Sequence, residues 1–161
     1  AYRGKLLSIA LLAGKSVNLR FYIGHMNDGV WTPDPLPWNV LTFMDLDAGS
    51  STRTNERLTS FDHARYVSGS SITVQESNES VEFECHVPGN VVNPSDITLD
   101  EAQRGVALAL EFEEKESFLV RIDNLARSKR AILITGVTTL NWLELLPAPT
   151  PAPTPAPTPA P

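Results

Sequence analysis

Three histidines and one cysteine are the side chains of this sequence best suited to metal binding or nucleophilic chemistry. His25, His63 and His86 lie far apart and show none of the close His-x-x-x-His or Cys-x-x-Cys spacings that mark zinc sites. Cys85 directly precedes His86, but adjacent side chains on a strand point to opposite faces. The sequence therefore predicts a buried thiol at Cys85, an outward-facing His86 and no metal site.

Motifs for hydrolysis and nucleotide binding are absent from the sequence. A serine nucleophile usually lies in a G-x-S-x-G turn, and the stretch Ser68-Gly69-Ser70-Ser71 has the wrong glycine spacing. Neither G-x-G-x-x-G nor G-x-x-x-x-G-K-[ST] occurs, so no glycine-rich loop is present for a nucleotide phosphate. We therefore predict that the protein is not an enzyme, has no catalytic residues and needs no cofactor.

Two charged segments stand out in a chain whose net charge is −6 and whose pI is near 5.0. The acidic stretch EFEEKE, residues 111–116, is typical of a solvated face and could also line a channel. The basic turn formed by Arg127, Lys129 and Arg130 is either a solvent-exposed turn or a contact for an acidic patch on a neighbouring copy. The acidic balance argues against a protein that wraps nucleic acid, although a polyanion could slide past such a surface.

The last fifteen residues, 147–161, contain eight of the 13 prolines. Proline lacks an amide donor and has a fixed φ, so this tail is expected to extend as polyproline II over roughly 45 Å. We therefore divide the chain into a folded domain, residues 1–146, and a polyproline tail that serves as a surface spacer or a plain linker. Candidate glycosylation sites are Asn78, in Asn-Glu-Ser, and the tail threonines Thr150, Thr154 and Thr158.

Alternating apolar residues predict a mainly β fold. VNLRFYI, residues 17–23, has every second residue apolar, and the Asn27-Asp28-Gly29 turn that follows predicts a hairpin with GVW. A second hairpin is predicted in residues 71–87, and further strands in SFLVRID and after residue 130. One amphipathic helix is predicted from Ser95, with an apolar stripe that reaches Leu110. The predicted fold class is a β-sandwich or small β-barrel with one flanking α-helix and a long polar loop.

The long polar loop is predicted between residues 45 and 69, which contain few large apolar side chains and many Ser, Thr, Arg and Asp residues. A loop of this length is unusual inside a compact domain and indicates a lid, a binding loop or a disordered segment. A short helical turn is expected around residues 56–61. Because one subunit can hardly offset the ordering entropy of the loop, we expect it to pack against a second copy of the chain.

The order of these elements resembles that of the tail tube proteins of long-tailed bacteriophages. The stretches that carry the resemblance are RGKLLSIAL, the pair VNLRFYIG and GVW, the strand and loop from NVLTFM to RYVSG, the SITVQ hairpin, the SDITLDEAQRGVALAL helix and the closing strands. The resemblance covers most of residues 1–146 and consists of element order and loop length. It implies hexameric rings stacked into a tube through which DNA passes, with other tail proteins as partners and the virion tail as location.

In such proteins a long loop docks on the next ring. The resemblance therefore implies a ring-stacking role for nine residues of the predicted loop: Asp45, Asp47, Arg53, Glu56, Arg57, Phe61, Asp62, Arg65 and Tyr66.

Two other functions fit the sequence. One is a secreted or surface-displayed module that binds carbohydrate or protein, with the tail as a stalk and Trp31 and Trp38 of WTPDPLPW as an exposed platform; the same tryptophans could instead cap a barrel end. The other is a capsid decoration protein with a similar β fold.

KLLSIALLAG, residues 5–14, is interpreted as a buried first strand or as a signal-peptide core. No apolar run reaches the roughly 18 residues of a membrane span, so no span is predicted.

Overall fold

A computed structural model describes residues 2–3, 6–47, 56–85 and 93–136 of the 161-residue chain. Within these residues the chain forms thirteen strands and one short helix. The strands are β1 (Tyr2–Arg3), β2 (Leu6–Leu11), β3 (Ser16–Tyr22), β4 (Gly24–Asn27), β5 (Val30–Pro33), β6 (Trp38–Met44), β7 (Glu56–Ser60), β8 (Arg65–Ser68), β9 (Ile72–Glu76), β10 (Val81–Cys85), β11 (Leu108–Glu113), β12 (Ser117–Asn124) and β13 (Arg130–Thr135), and the helix is α1 (Glu101–Gly105).

The strands form two antiparallel sheets and a separate hairpin. The larger sheet has the order β1-β2-β13-β6-β11-β8, and the smaller sheet has the order β3-β12-β7-β10-β9. β4 and β5 pair with each other as a two-stranded sheet. The described strands pack as a sandwich and do not close into a barrel. The predicted mainly β fold with one helix is therefore confirmed, in its sandwich form.

The core lies between the two sheets and takes alternate residues from each long strand. On β12, Phe118, Val120 and Ile122 are fully buried. Phe112 of the larger sheet stacks on Phe118 of the smaller sheet, with 3.7 Å between ring centroids, and Phe21 stacks on Phe118 at 5.2 Å. Burial of a large apolar side chain such as these contributes about 1.5–3 kcal/mol to the free energy of folding. The stack therefore stabilises the packing of the two sheets against each other.

The Asn27-Asp28-Gly29 signal forms a tight turn. Asp28 and Gly29 join β4 to β5 with left-handed φ values of 48° and 80°, which suit a two-residue hairpin. The partner of this hairpin differs from the prediction, because β3 pairs with β12 and only β4 pairs with β5. β9 and β10 form the second hairpin as predicted, and Cys85 is buried at the end of β10. His86 lies outside the described residues.

The helix is much shorter than the predicted stretch from Ser95 to Leu110. It begins after Asp100, whose side chain accepts a hydrogen bond from the Gln103 amide at 2.8 Å, while the Gln103 side chain accepts from the Asp100 amide at 3.0 Å. The residues from Leu108 onward form β11. The helical prediction is wrong there because both faces of β11 are covered over residues 108–110, and a continuous apolar run does not distinguish a strand from a helix.

Residues 56–69 are not part of a long polar loop. Glu56–Ser60 is β7, which lies in the smaller sheet between β12 and β10, and Arg65–Ser68 is β8, which pairs with β11. The helical turn expected at residues 56–61 is therefore wrong. Residues 48–55 lie outside the described residues. The expectation that a second copy must order the segment does not hold from Glu56 onward, since its backbone pairs within the subunit.

Candidate functional site

One end of the sandwich carries most of the exposed apolar side chains. There Trp38 at the start of β6 faces Glu113 at the end of β11, and the amide of Ile23 donates to the carbonyl of Glu116 at 2.8 Å, which attaches the β4–β5 hairpin. Seven of the nine exposed large hydrophobic side chains among the described residues lie at this aromatic end: Tyr22, Met26, Val30, Trp31, Leu36, Trp38 and Phe61. A concentration of this kind usually marks a binding surface.

The β4–β5 hairpin gives the aromatic end a defined shape. All four residues of β5, Val30–Pro33, are exposed. The indole of Trp31 lies across Gly24 on the facing strand, where a Cβ atom would come within 2.6 Å of the ring. At the base of the hairpin, the Asp34 amide donates to the Ile23 carbonyl at 3.1 Å. The exposed indole therefore packs against the backbone of the facing strand.

An open depression of about 300 Å³ lies beside Trp38 on the outer face of the larger sheet. This Trp38 depression is lined by Pro37, Trp38, Arg65, Glu111 and Glu113. The strand register places Trp38 opposite Glu113 and Arg65 opposite Glu111. The Trp38 side chain is 56% exposed, so the indole is open to a ligand.

The charges in the Trp38 depression do not cancel. The Nε of Arg65 donates to Glu111 Oε1 at 3.1 Å, and this hydrogen bond, with the charge of Glu111, raises the pKa of Arg65. Arg65 and Glu111 therefore form an ion pair, and Glu113 is a second, exposed carboxylate beside Trp38. The depression combines an aromatic surface with excess negative charge, which suits a cationic or hydroxyl-rich ligand.

At the opposite end of the sandwich, which we call the charged end, a cluster of three buried carboxylates lies near Arg130, while buried Asp123 pairs with Arg57 and Arg121. Asp45, Asp47 and Glu56 are 5%, 4% and 1% exposed. Arg130 at the start of β13 pairs with Asp47 and Glu56, and its Nε lies 3.0 Å from Glu56 Oε1. The second oxygen of Glu56 and Oδ1 of Asp45 have no hydrogen-bond partner among the described residues.

One guanidinium cannot neutralise three buried carboxylates. Burial raises the pKa of Asp45 to about 6, although the charge of Arg130 opposes the rise. Burial and the negative charge of Asp45 raise the pKa of Glu56 to about 9. Arg130 contacts Glu56, but its charge is shared with Asp47 and Asp45, so Glu56 holds a proton at neutral pH. In the described part of the chain, no three metal-binding side chains are grouped so as to hold an ion.

The turn between β12 and β13 is held in shape by Asn124. The Asn124 side-chain amide donates to the carbonyls of Leu11, Leu12 and Ser128 at 3.0, 3.1 and 3.0 Å, and its carbonyl oxygen accepts from the Ala126 amide at 2.9 Å. The bonds to Leu11 and Leu12 connect the β12–β13 turn to the β2–β3 turn, while those to Ser128 and Ala126 lie within the β12–β13 turn. Because all of them come from one buried side chain, the two turns form a single ordered surface at the charged end.

Two of the three residues of the predicted basic turn reach solvent. Arg127 and Lys129 are exposed, and Leu125 and Leu12 beside them are 44% and 65% exposed. Arg130 is not on the exposed turn as expected. It lies on the same face of β13 as the core-facing Ile132 and Ile134, so its side chain lies against the buried carboxylates.

Most of the nine residues expected to contact a neighbouring ring are engaged within the subunit. Asp45, Asp47 and Glu56 are buried, so they are not at an exposed surface. Arg57 pairs with Asp123 at 3.3 Å and Glu82 at 3.5 Å, and Arg65 pairs with Glu111.

Tyr66, Asp62 and Phe61 are the remaining described members of that set. The Tyr66 hydroxyl donates to Glu76 Oε1 at 2.7 Å, and Asp62 accepts from the Leu119 amide at 3.1 Å. Phe61 is 42% exposed and belongs to the aromatic end. Arg53 lies outside the described residues.

The other residues singled out in the sequence are scattered. Asn78 is exposed in the β9–β10 turn, and Thr150, Thr154 and Thr158 lie outside the described residues. His63 is half-buried, with Nδ1 3.1 Å from the Ser60 hydroxyl, and burial lowers its pKa. Among the residues that the structure describes, no helix has the length and apolar character needed to cross a membrane.

The sequence identified Trp31 and Trp38 but not the charged side chains beside Trp38. Arg65, Glu111 and Glu113 reach Trp38 because β11 lies between β6 and β8 in the sheet, which the chain order does not reveal. The usable signal was the alternation in LALEFE, which places both glutamates on one face.

Comparison of the chain with protein-family models, with curated proteins and with solved structures gives no match.

Proposed function

We propose that this chain is a structural protein that assembles with copies of itself through the aromatic end. The observation that supports this function is the concentration of exposed Met26, Val30, Trp31 and Trp38 around a projecting hairpin. Burial of one such side chain contributes about 1.5–3 kcal/mol, so a contact that covers several of them has a sufficient driving force for association.

We further propose that the assembly is the tail tube of a virion. Support comes from the chain order of the β9–β10 hairpin, the helix α1 and the closing strands β12 and β13, which resembles that of tail tube proteins. The first predicted strand pair gives no support, since β3 pairs with β12. The net charge of −6 fits a tube through which DNA slides without adhering. Residues 56–69 give no support, since they pair within the subunit. The contacts between rings are therefore assigned to exposed residues at the ends of the sandwich.

Light scattering and negative-stain microscopy of the purified chain test this function. The wild-type protein is expected to form rings or tubes whose fraction rises with concentration. Val30→Asp places a charge in the apolar contact and should abolish assembly without affecting folding, because Val30 is 65% exposed. Ser95→Asp, at an exposed site outside the aromatic end, is the matched control and should assemble like the wild type. A protein that stays monomeric at millimolar concentration would refute the function.

The Trp38 depression favours a second candidate function, carbohydrate binding by a surface-displayed module. An exposed indole beside an ion pair and a carboxylate can stack on a sugar ring and bond to its hydroxyls. Glycan-array binding by a monomeric wild-type chain that is lost in Trp38→Ala and retained in Tyr22→Ala would support this candidate over assembly. An array without any bound glycan would exclude it for the sugars present.

A further inference from the structure

We infer that the Trp38 depression of one copy receives the basic turn, residues 125–129, of a second copy, so that subunits join head to tail. This inference rests on the proposed self-association and specifies its contact. It joins the acidic, apolar surface at the aromatic end to the basic surface at the charged end.

The chemistry of the depression fits a basic side chain. The indole of Trp38 is open to solvent and lies opposite Glu113 in the strand register. A guanidinium that lies on an indole is attracted by the ring and can pair with a carboxylate beside it. Arg65 already pairs with Glu111 within the depression, so the excess negative charge comes from Glu113. Exposed Glu116 lies in the turn between β11 and β12 and adds negative charge to the same end of the sandwich.

The basic turn supplies the complementary groups. Arg127 and Lys129 are exposed and form no ion pair with another residue in the described ranges. Asn124 fixes the turn through four hydrogen bonds, so little conformational entropy is lost when the turn binds. Leu125 and Leu12 flank the cations and offer apolar surface to the exposed hairpin of the next copy.

The positions of the two surfaces determine the geometry of association. They lie at opposite ends of the sandwich, because β6 begins at Trp38 in the depression and ends next to the carboxylates that bind Arg130. A two-fold dimer could pair the depression of each copy with the basic turn of the other, but it would leave neither surface free. Head-to-tail contacts instead leave one free surface at each end of the assembly and therefore produce open filaments or closed rings.

A charge-swap experiment on the full chain tests the contact. Variant A is Arg127→Glu/Lys129→Glu, and variant B is Glu113→Lys/Glu116→Lys. Each variant alone places like charges in contact and should assemble roughly 100-fold more weakly than the wild type. A mixture of A and B restores opposite charges at every contact of an alternating chain, so it should assemble again. Sedimentation velocity measures the three samples, and circular dichroism shows that each variant is folded.

Two single charge reversals on α1 control for the sign of the net-charge change, at half the size of the change in A and B. Glu101→Lys and Arg104→Glu change exposed residues outside both surfaces and should assemble as the wild type does. If the wild type assembles and A and B assemble equally well, the head-to-tail contact is refuted and the proposed self-association stands. If A and B are both weakened but their mixture stays monomeric, the pairing of these two surfaces is also refuted. A monomeric wild type refutes the inference together with the function on which it rests, and a glycan that binds at Trp38 of that monomer would identify the depression as a sugar site.

Discussion

Replacement of Glu56 by glutamine is expected to make the protein more stable at neutral pH. Glu56 is 1% exposed, and burial together with the charge of Asp45 raises its pKa from 4.5 to about 9. Between these two values the folded chain keeps a proton on Glu56 that the unfolded chain releases, so the free energy of unfolding falls as the pH rises. Below pH 4.5 Glu56 is protonated in both the folded and the unfolded chain, so the free energy of unfolding is no longer reduced.

The size of the effect follows from the same two values. Neutral pH lies about 2.5 pH units above the unfolded-state pKa of 4.5, and each unit corresponds to about 1.4 kcal/mol, so the wild type loses about 3 kcal/mol at pH 7. A glutamine amide stays neutral, has a similar shape and can accept the hydrogen bond from the Arg130 Nε, which lies 3.0 Å from Glu56 Oε1. Glu56→Gln should therefore gain up to about 3 kcal/mol at pH 7 and little at acidic pH.

Urea unfolding followed by far-ultraviolet circular dichroism between pH 5 and pH 8 measures this difference. The wild-type free energy of unfolding should fall across the range, and that of Glu56→Gln should fall less steeply. Glu79→Gln, in an exposed turn, is the matched control and should follow the wild type. A Glu56→Gln variant that is less stable than the wild type at pH 7 would refute the reasoning, because it would show that Glu56 is ionised and paired with Arg130.

Two further predictions concern the ends of the sandwich. Gly24→Ala should lower the free energy of unfolding by about 1–3 kcal/mol, because the added Cβ would meet a backbone oxygen at 2.3 Å and the Trp31 ring at 2.6 Å. Gly105→Ala is the control and should be neutral or stabilising, because its Cβ would lie 3.5 Å from the nearest atom. Urea unfolding compares the two variants. Asn124→Ala should lower the free energy of unfolding by about 2–4 kcal/mol, because it removes four hydrogen bonds. Asn18→Ala, at an exposed site, is the control and should change this free energy little. Equal losses in the two variants would contradict the role of Asn124.

The fold class could be predicted from the sequence where one face of a strand is polar. Val81, Phe83 and Cys85 alternate with glutamates, and the Asp28-Gly29 pair has side chains and backbone freedom suited to a tight turn. β7 could not be recognised in this way, because only Leu58 among its inward-facing residues is apolar. Glu56 also faces inward, where it contacts Arg130 of the larger sheet. No local sequence pattern reveals this contact.

The candidate site was predictable only in part for the same reason. The exposed tryptophans are visible in WTPDPLPW, but the groups that surround Trp38 come from β8 and β11. The basic turn is visible as a cluster, yet the sequence does not show that Arg127 stays outside while Arg130 turns inward. Each of these assignments depends on the register between strands that are distant in the chain.

The position of β13 between β2 and β6 has a consequence for protein synthesis. The strand that joins the two halves of the larger sheet is the last one that the ribosome makes among the described residues. Until Arg130–Thr135 has emerged, β2 and β6 each present an unpaired edge, and the nascent chain is open to pairing with other nascent chains. Completion of the larger sheet therefore waits for β13, and chaperones would have the most to protect until this strand has emerged.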